Sequence, residues 1–157
     1  MKLDFKEVYL TYSDKIFRYL YWHLGDTFLA EDLTSEVFLK VFKNIAKFKK
    51  GYLQAWIYRI AKNLLIDHYR SKKTGSLEEA AEIAVDDQLL ERLDREEDVR
   101  KLQTAVAKLP ENLREIVILR FFEEMSAAQV AEIIGTNEGN VRVLQFRALK
   151  KLKEELK

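Results

Sequence analysis

The chain contains no cysteine, one proline and five glycines among its 157 residues. The lack of cysteine excludes disulfide bonds and thiolate metal ligands, and it fits a reducing compartment. So few prolines and glycines argue against a loop-rich or all-β protein. No apolar run approaches the length of a membrane span, and the charged amino-terminal stretch MKLDFKEVYL is unlike a signal peptide. We therefore predict an all-α, soluble, cytoplasmic protein that does not insert into a membrane.

The net charge of +1 hides an uneven distribution of charge along the chain. Residues 1–75 contain 14 lysines and arginines against 8 acidic residues, residues 76–99 contain 2 against 10, and residues 100–157 contain 11 against 8. Clustered basic residues are typical of surfaces that face nucleic acid. We predict two small helical domains, residues 1–73 and 99–157, joined by an acidic linker over residues 74–98.

Hydrophobic periodicity predicts three or four helices in the first block. The first is expected over about Phe5–Leu24, and Gly25 followed by Asp26 should end it. The second is expected over about Thr27–Ala46, with Asp26 or Thr27 as its N-cap.

The second predicted helix has more apolar surface than one core requires. Its core-facing stripe consists of Ala30, Leu33, Val37, Val41 and Ile45. Phe38, Leu39 and Phe42 extend that stripe. Either the helix is buried on two sides, or it offers an apolar shoulder to a partner. We favour the partner, because a three-helix unit has little protein to cover the helix.

A third helix, AWIYRIAKNLLIDHYRSKK over residues 55–73, combines aromatic, aliphatic and cationic side chains. Its core side consists of Ile57, Ile60, Ala61, Leu64 and Leu65. Its opposite side consists of Tyr58, Arg59, Lys62, Asn63, Ile66, Tyr69 and Arg70, with Trp56 at the boundary. Rings that stack on bases, cations that hold phosphates and an amide suit a nucleic-acid surface. This stretch alone fits equally well with tyrosines that are half-buried against a neighbouring helix.

The second block has the pattern of a helix-turn-helix. A helix over residues 99–109 should stop before Pro110, which suits the first turn of the next helix, ENLREIVILRFFEE. Ser126 and Gln129 form a capping box before AAQVAEII, Gly135 supplies a positive φ at the turn, and Asn137 can cap the last helix. An ordinary αα-hairpin is the alternative, but the short turn and the basic last helix favour the helix-turn-helix.

The last helix has an inner and an outer face. Val141 and Leu144, together with Val130 and Ile134 of the preceding helix, are expected to form the small core. The residues expected to face DNA are Asn137, Glu138, Asn140, Arg142, Val143, Phe146, Arg147 and Lys150. Because a recognition helix contacts base edges with its first turns, Arg142 could pair with guanine, Asn140 with adenine, and Val143 could meet a thymine methyl group.

This order of segments resembles the extracytoplasmic-function (ECF) group of bacterial sigma-70-type sigma factors, which consist of region 2, a linker and region 4. AEDLTSEVFLKVFKNI resembles the region 2 helix that docks on the β′ clamp of RNA polymerase. WIYRIAKNLLIDHYRSKK resembles the helix that recognises and melts the minus-ten promoter element. The segment from Leu109 to Leu152 resembles region 4, which recognises the minus-35 element and meets the β flap tip.

The resemblance implies three sets of binding residues. For polymerase they are Asp32, Leu33, Glu36, Phe38, Leu39 and Phe42. For the minus-ten element they are Trp56, Tyr58, Arg59, Lys62, Asn63, Tyr69, Arg70, Lys72 and Lys73, with Asn63 and its neighbours capturing a flipped base. For the minus-35 element they are the outer residues of the last helix named above. The implied partners are core RNA polymerase, promoter DNA and an anti-sigma factor, and no cofactor is expected.

Three other classes of protein fit the sequence less well. An enzyme is not expected, because His23 and His68 are far apart in the chain and there is no Gly-rich phosphate loop. A stand-alone helix-turn-helix regulator leaves the helix over residues 55–73 and the apolar shoulder without a role. A sigma-like decoy that never binds polymerase would lack the strand-holding cations.

Overall fold

The computed structural model describes residues 3–48, 52–74 and 96–157, with the side chains of these ranges except those of residues 72–74 and 96. All regular secondary structure in these ranges is helical, which confirms the predicted all-α fold. The chain divides into two compact units, Met1–Ala84 and Val85–Lys157. Most of the predicted acidic linker, residues 75–95, lies outside the described residues.

Within residues 3–48 and 52–74, the first unit contains three α-helices that pack pairwise against each other. They are α1 (Phe5–Leu24), α2 (Thr27–Asn44) and α3 (Leu53–Thr74), and a short 3₁₀ turn, Ile45–Lys47, follows α2. The positions of all three helices agree with the prediction from hydrophobic periodicity. The end of α2 differs, because its last predicted residues form the 3₁₀ turn.

The junction between α1 and α2 has the predicted end signals. Gly25 adopts a left-handed conformation with φ 69°, and its N–H donates to the carbonyl oxygen of Tyr21 at 2.7 Å. Asp26 is the N-cap of α2, since its carboxylate accepts a hydrogen bond from the backbone N–H of Leu29 at 3.1 Å. A glycine that tolerates positive φ and a carboxylate that satisfies a free N–H therefore separate the two helices.

Tyr58 lies in the core of the first unit, so its predicted place on the DNA-facing surface is wrong. Its side chain is 0% exposed, and its ring meets the Tyr19 ring of α1 edge-on with centroids 5.3 Å apart. Helix α3 packs against both α1 and α2. A helix that packs against two other helices buries a wider arc of its surface than a single apolar stripe, and Tyr58 lies within that wider arc.

Helix α2 is buried on two sides, which corrects two of the predicted polymerase contacts. Leu33 is buried, and Phe38 is only 3% exposed because its ring packs edge-on against Tyr9 of α1 at 5.1 Å. The physical reason is the same as for Tyr58, since α1 and α3 both pack against α2. The apolar shoulder is therefore smaller than predicted, and it contains Leu39 and Phe42, which are 54% and 58% exposed.

The second unit contains four α-helices and one π-helical turn within residues 96–157. They are α4 (Glu96–Lys108), α5 (Glu111–Val117), the π turn (Ile118–Phe122), α6 (Ala127–Ile134) and α7 (Glu138–Glu155). Pro110 is the N-cap of α5 rather than a residue of its first turn. The single helix predicted after Pro110 is wrong in its second half, where the chain widens into the π turn.

The helix-turn-helix consists of α6, the turn at Gly135 and α7. Ser126 and Gln129 exchange the two hydrogen bonds of a capping box, at 3.1 and 2.9 Å. Gly135 has φ 76°, and the side chain of Asn137 accepts a hydrogen bond from the backbone N–H of Asn140 at 2.8 Å. All three end signals were predicted, and together they set where α6 begins and ends and where α7 begins.

The core of the helix-turn-helix differs slightly from the predicted one. Val130 and Val141 are completely buried, as predicted. Ile134 and Leu144 are only partly buried, whereas Ile133 is buried at 3% exposure. The predicted face of α6 is therefore displaced by one residue at its end, because α6 packs against the π turn as well as against α7.

Candidate nucleic-acid and polymerase interfaces

One edge of α3 presents polar side chains to solvent. Arg59, Asn63 and Arg70 are exposed, and Lys62 is partly exposed. Residues spaced by three, four and seven positions lie on one side of a helix, so these side chains form a row along α3. We refer to Arg59, Lys62, Asn63 and Arg70 as the α3 edge. Two guanidinium groups, an ammonium group and an amide can together hold a phosphate backbone and contact a base.

Aromatic rings flank the α3 edge at both ends of the helix. Trp56 is partly exposed, and its ring stacks on Phe48 with centroids 4.9 Å apart and an interplanar angle of 27°. Tyr69 is also partly exposed, and its hydroxyl donates to the carbonyl oxygen of His23 at 3.1 Å. Trp56 and Tyr69 are therefore anchored, partly exposed rings, and aromatic rings of this kind can stack on bases.

Tyr52 is a candidate DNA contact that was missed in the sequence. It directly precedes α3, and its side chain is 68% exposed. The available signal in the sequence is an aromatic residue that follows Lys49 and Lys50 after a single glycine. The predicted helix began at residue 55, three residues after Tyr52, so Tyr52 was not considered with it. Lys72 and Lys73 were also predicted to hold the strand, but their side chains lie outside the described residues.

The exposed side of α2 combines acidic and apolar residues. Asp32 and Glu36 are exposed, and Leu39 and Phe42 follow them at spacings of three residues. These four residues lie on one side of the helix and form the α2 patch. Phe42 is held in place by an edge-on contact with Phe5 at 5.1 Å. A rigid apolar ring and leucine beside two carboxylates suit a protein partner with basic residues around an apolar contact.

The outer face of α7 is exposed over its first turns, as predicted. Phe146 is 71% exposed and Val143 is 48% exposed. Glu138 and Arg142 form an ion pair at 3.1 Å between exposed side chains. The Asn140 side-chain amide donates to the hydroxyl oxygen of Thr136 at 2.9 Å, and Asn137 serves as the N-cap. The exposed ion pair is weak, so Arg142 can exchange Glu138 for a base.

Cations lie along the second half of α7. Arg147 and Lys150 are exposed, as predicted, and Lys151 is exposed beside them. They line a surface cleft between α7 and the start of α5, where Asn112 also contributes. Cations beside the base-contacting turns of a recognition helix suit phosphate contacts.

Two features are absent from the part of the chain that the structure describes. Within residues 3–48, 52–74 and 96–157, no three acidic or histidine side chains converge in a way that could hold a metal ion. No described helix combines the length and the apolar character required to cross a bilayer.

Comparison with known proteins places both units in one family. The family model for sigma-70 region 2 matches residues 8–74, and the model for sigma-70 region 4 matches residues 99–152. The ECF RNA polymerase sigma factor BldN of Streptomyces coelicolor is 37% identical over 94% of this chain, which spans 58% of the length of BldN. The ECF RNA polymerase sigma factor SigW of Bacillus subtilis is 30% identical over 98% of this chain and 89% of SigW.

Solved structures share the fold. The sigma factor RpoE, in its complex with the anti-sigma factor NepR from Bartonella quintana, matches with a TM-score of 0.75 at 21% identity over 98% of this chain and 96% of that chain. CnrH, in its complex with the cytosolic domain of CnrY, matches with a TM-score of 0.74 at 18% identity over 97% and 86% of the two chains. From the two sigma-70 family models and the identity with SigW along nearly its whole length, the chain belongs to the ECF RNA polymerase sigma factors.

Proposed function

We propose that this sigma factor, which directs RNA polymerase to promoters, uses its two units for different promoter elements. The α3 edge holds the unpaired strand of the minus-ten element, and the outer face of α7 contacts the minus-35 element as duplex DNA. The α2 patch docks on the β′ clamp, and the second unit meets the β flap. The proposal also retains the domain limits 1–73, 74–98 and 99–157. In this scheme the chain is a binding factor rather than an enzyme, and it acts in the cytoplasm.

The exposed row of Arg59, Asn63 and Arg70 on α3 is the observation on which the proposal depends. Unpairing a base costs a few kcal/mol, and stacking on an aromatic ring returns about 1–3 kcal/mol per base. The α3 edge supplies charge for the phosphates, while Trp56 and Tyr52 supply rings. Together these groups can stabilise a melted strand through both its phosphates and its bases.

The α7 helix is proposed to recognise the minus-35 element in the major groove. Its exposed first turns present Arg142, Val143 and Phe146, which differ in the base features that they can contact. A guanidinium group matches the acceptors of guanine, whereas apolar side chains match the methyl group of thymine. Arg147 and Lys150 would fix the helix on the phosphates.

An anti-sigma factor is proposed as a further partner. Two solved structures that share the fold are complexes, one of the sigma factor RpoE with the anti-sigma factor NepR and one of CnrH with the cytosolic domain of CnrY. The α2 patch supports the same proposal, because its exposed apolar residues need to be covered when the chain is not bound to polymerase.

Run-off transcription on genomic promoter fragments, with core RNA polymerase and the purified chain, tests the proposed function. The double variant Arg59→Ala with Asn63→Ala should bind core polymerase normally and fail to open promoters, because the α3 edge contacts only the unpaired strand. Permanganate reactivity of unpaired thymines measures the opening, and Lys6→Ala, which removes an exposed cation from α1, is the matched control.

Two results would contradict the proposal. If the double variant lost core binding together with opening, the α3 edge would serve the structure of the unit rather than the DNA. If the wild-type chain bound duplex DNA without polymerase and supported no transcription with it, a stand-alone regulator would be the better description.

A further inference from the structure

Arg120 connects the π turn to the entrance of the helix-turn-helix. The adjacent Ile118 and Leu119 are completely buried, which fixes the backbone from which the Arg120 side chain projects. The Nη1 atom of Arg120 donates to the carbonyl oxygen of Met125 at 2.6 Å. Met125 is buried and directly precedes Ser126, the N-cap of α6. This hydrogen bond therefore ties the π turn to the start of α6.

The same guanidinium group reaches the recognition helix. The Nε atom of Arg120 donates to Oε1 of Gln145 on α7 at 2.9 Å, across 25 residues of sequence. Gln145 is partly buried, whereas Val143, two residues before it, and Phe146, directly after it, are exposed. Because a guanidinium group is planar and its donors are fixed relative to each other, the two bonds hold α7 in a defined position relative to the start of α6.

The position of α7 matters differently for the two kinds of DNA contact. Contacts with base edges tolerate little displacement, since a shift of about 1 Å at a binding site can cost a large factor in activity. Contacts between flexible cationic side chains and phosphates tolerate more, because a point charge on a flexible stem adapts to its partner. Arg147, Lys150 and Lys151 are such cations, and they are exposed on α7.

We propose that Arg120 is a positioning residue that holds the recognition helix through Gln145 and thereby sets the discrimination between promoter and other DNA. Arg120 does this without contacting the DNA itself. The inference rests on the proposed contact between α7 and the minus-35 duplex. Gln145, which flanks the outer face of α7, then serves as the partner of Arg120 rather than as a base contact.

The test uses holoenzyme assembled from core RNA polymerase and the full chain. Wild-type holoenzyme first enriches a duplex from a library that is randomised across the minus-35 region. The discrimination ratio is then the affinity for the enriched duplex divided by the affinity for a scrambled duplex of equal length and composition. Arg120→Met should lower this ratio by about tenfold, the scale of one lost hydrogen bond to a charged group, and leave the affinity for the scrambled duplex unchanged.

Gln145 variants separate positioning from a general loss of structure. Gln145→Met removes the acceptor but leaves the bond from Arg120 to Met125, and it should lower the ratio as much as Arg120→Met does. The discrimination ratio of the double variant should be no lower than that of either single variant, because all three variants lose the hydrogen bond between residues 120 and 145. Gln145→Glu keeps an acceptor oxygen and should keep the ratio.

Three outcomes would overturn the inference. One is an unchanged ratio in both Met variants. Another is a decrease of about one in the slope of log affinity against log salt for Arg120→Met, which would identify Arg120 as a phosphate contact. The third is an equal loss of affinity for both duplexes with a lowered melting temperature, which would indicate only a structural role. If the wild-type holoenzyme enriches no sequence at all, the proposed function itself fails.

Discussion

At the scale of single residues, Tyr58 and Asn63 lie in opposite environments on the same helix, α3. Both lie opposite the apolar stripe in a helical projection, yet Tyr58 is buried and Asn63 is exposed. The stripe itself was predictable from its period. The number of neighbouring helices was not, because it depends on how α1 and α2 fold over α3. A tyrosine can lie in a core or at a surface, so the residue type alone did not show which environment Tyr58 occupies.

The different environments of Tyr58 and Asn63 predict opposite phenotypes. Tyr58→Ala should lower the free energy of unfolding by about 3–5 kcal/mol, since it removes a large buried ring. Asn63→Ala should change that free energy by less than about 0.5 kcal/mol, because the side chain is exposed. Urea unfolding followed by circular dichroism measures both values. Tyr58→Phe is the control for the ring, and a Tyr58→Ala chain of unchanged stability would refute the core assignment.

Two residues with positive φ predict stability changes of opposite sign. Gly135 has φ 76° and open space around its missing Cβ, so Gly135→Ala should cost about 1–2 kcal/mol through backbone strain alone. Glu124 has φ 54°, and Glu124→Gly should stabilise the chain by up to about 1 kcal/mol because it relieves that strain. Thermal unfolding of the full chain measures both changes. Shifts of the melting temperature in the same direction would contradict the positive φ angles assigned to the two residues.

At the scale of helices and turns, end signals were the most predictable features. The capping box at Ser126, the turn at Gly135 and the cap at Asn137 depend on residues within four positions of each other, so the sequence contains the whole interaction. The π turn has no such signal. ILRFF would also fit an α-helix, and the π turn packs against α6, a contact between separate helices that the local sequence does not reveal.

Asn137 was predicted to contact DNA, but it also caps α7, and the two roles can be separated. Asn137→Ala should destabilise the chain by about 1 kcal/mol, because the N–H of Asn140 loses its acceptor. Asn137→Ser should restore the stability, since a serine hydroxyl can also cap. Promoter affinity of the Ser variant then isolates the DNA contact. Wild-type affinity in the Ser variant would show that Asn137 acts only as a cap.

The α2 patch predicts a loss of polymerase binding without a loss of fold. Leu39→Glu places a charge in an exposed apolar contact, so it should weaken binding to core polymerase by about tenfold or more, as is typical of an interface hot spot. The free energy of unfolding should stay within about 0.5 kcal/mol of wild type. Leu10→Glu, at an exposed leucine of α1, is the matched control. Equal core binding by the two variants would exclude the α2 patch.

At the scale of the whole molecule, the distribution of charge along the chain should influence affinity for DNA more than the net charge does. The first 75 residues have a formal charge of +6 and the last 58 have +3, although the whole chain has +1. Salt-dependent affinity for DNA should therefore follow the exposed cations of each unit rather than the net charge. The division into two basic blocks was predictable from composition, because counting charges requires no knowledge of packing.

Lys150 provides the test at this scale. Lys150→Gln should weaken promoter binding by the holoenzyme about equally for all sequences and lower the slope of log affinity against log salt by about one, because one phosphate contact is lost. Filter binding across a range of potassium concentrations measures the slope, and Lys6→Gln serves as the control. A slope that does not change would place Lys150 away from the DNA backbone.

The stacking of Trp56 on Phe48 has a spectroscopic consequence. The chain contains two tryptophans, Trp22 and Trp56. In a Trp22→Phe chain all indole emission would come from the start of α3, from a ring already packed on one face by Phe48. A nucleobase that stacks on the other face would quench that emission, so strand separation could be timed by stopped-flow optics with no dye attached to the protein or the DNA.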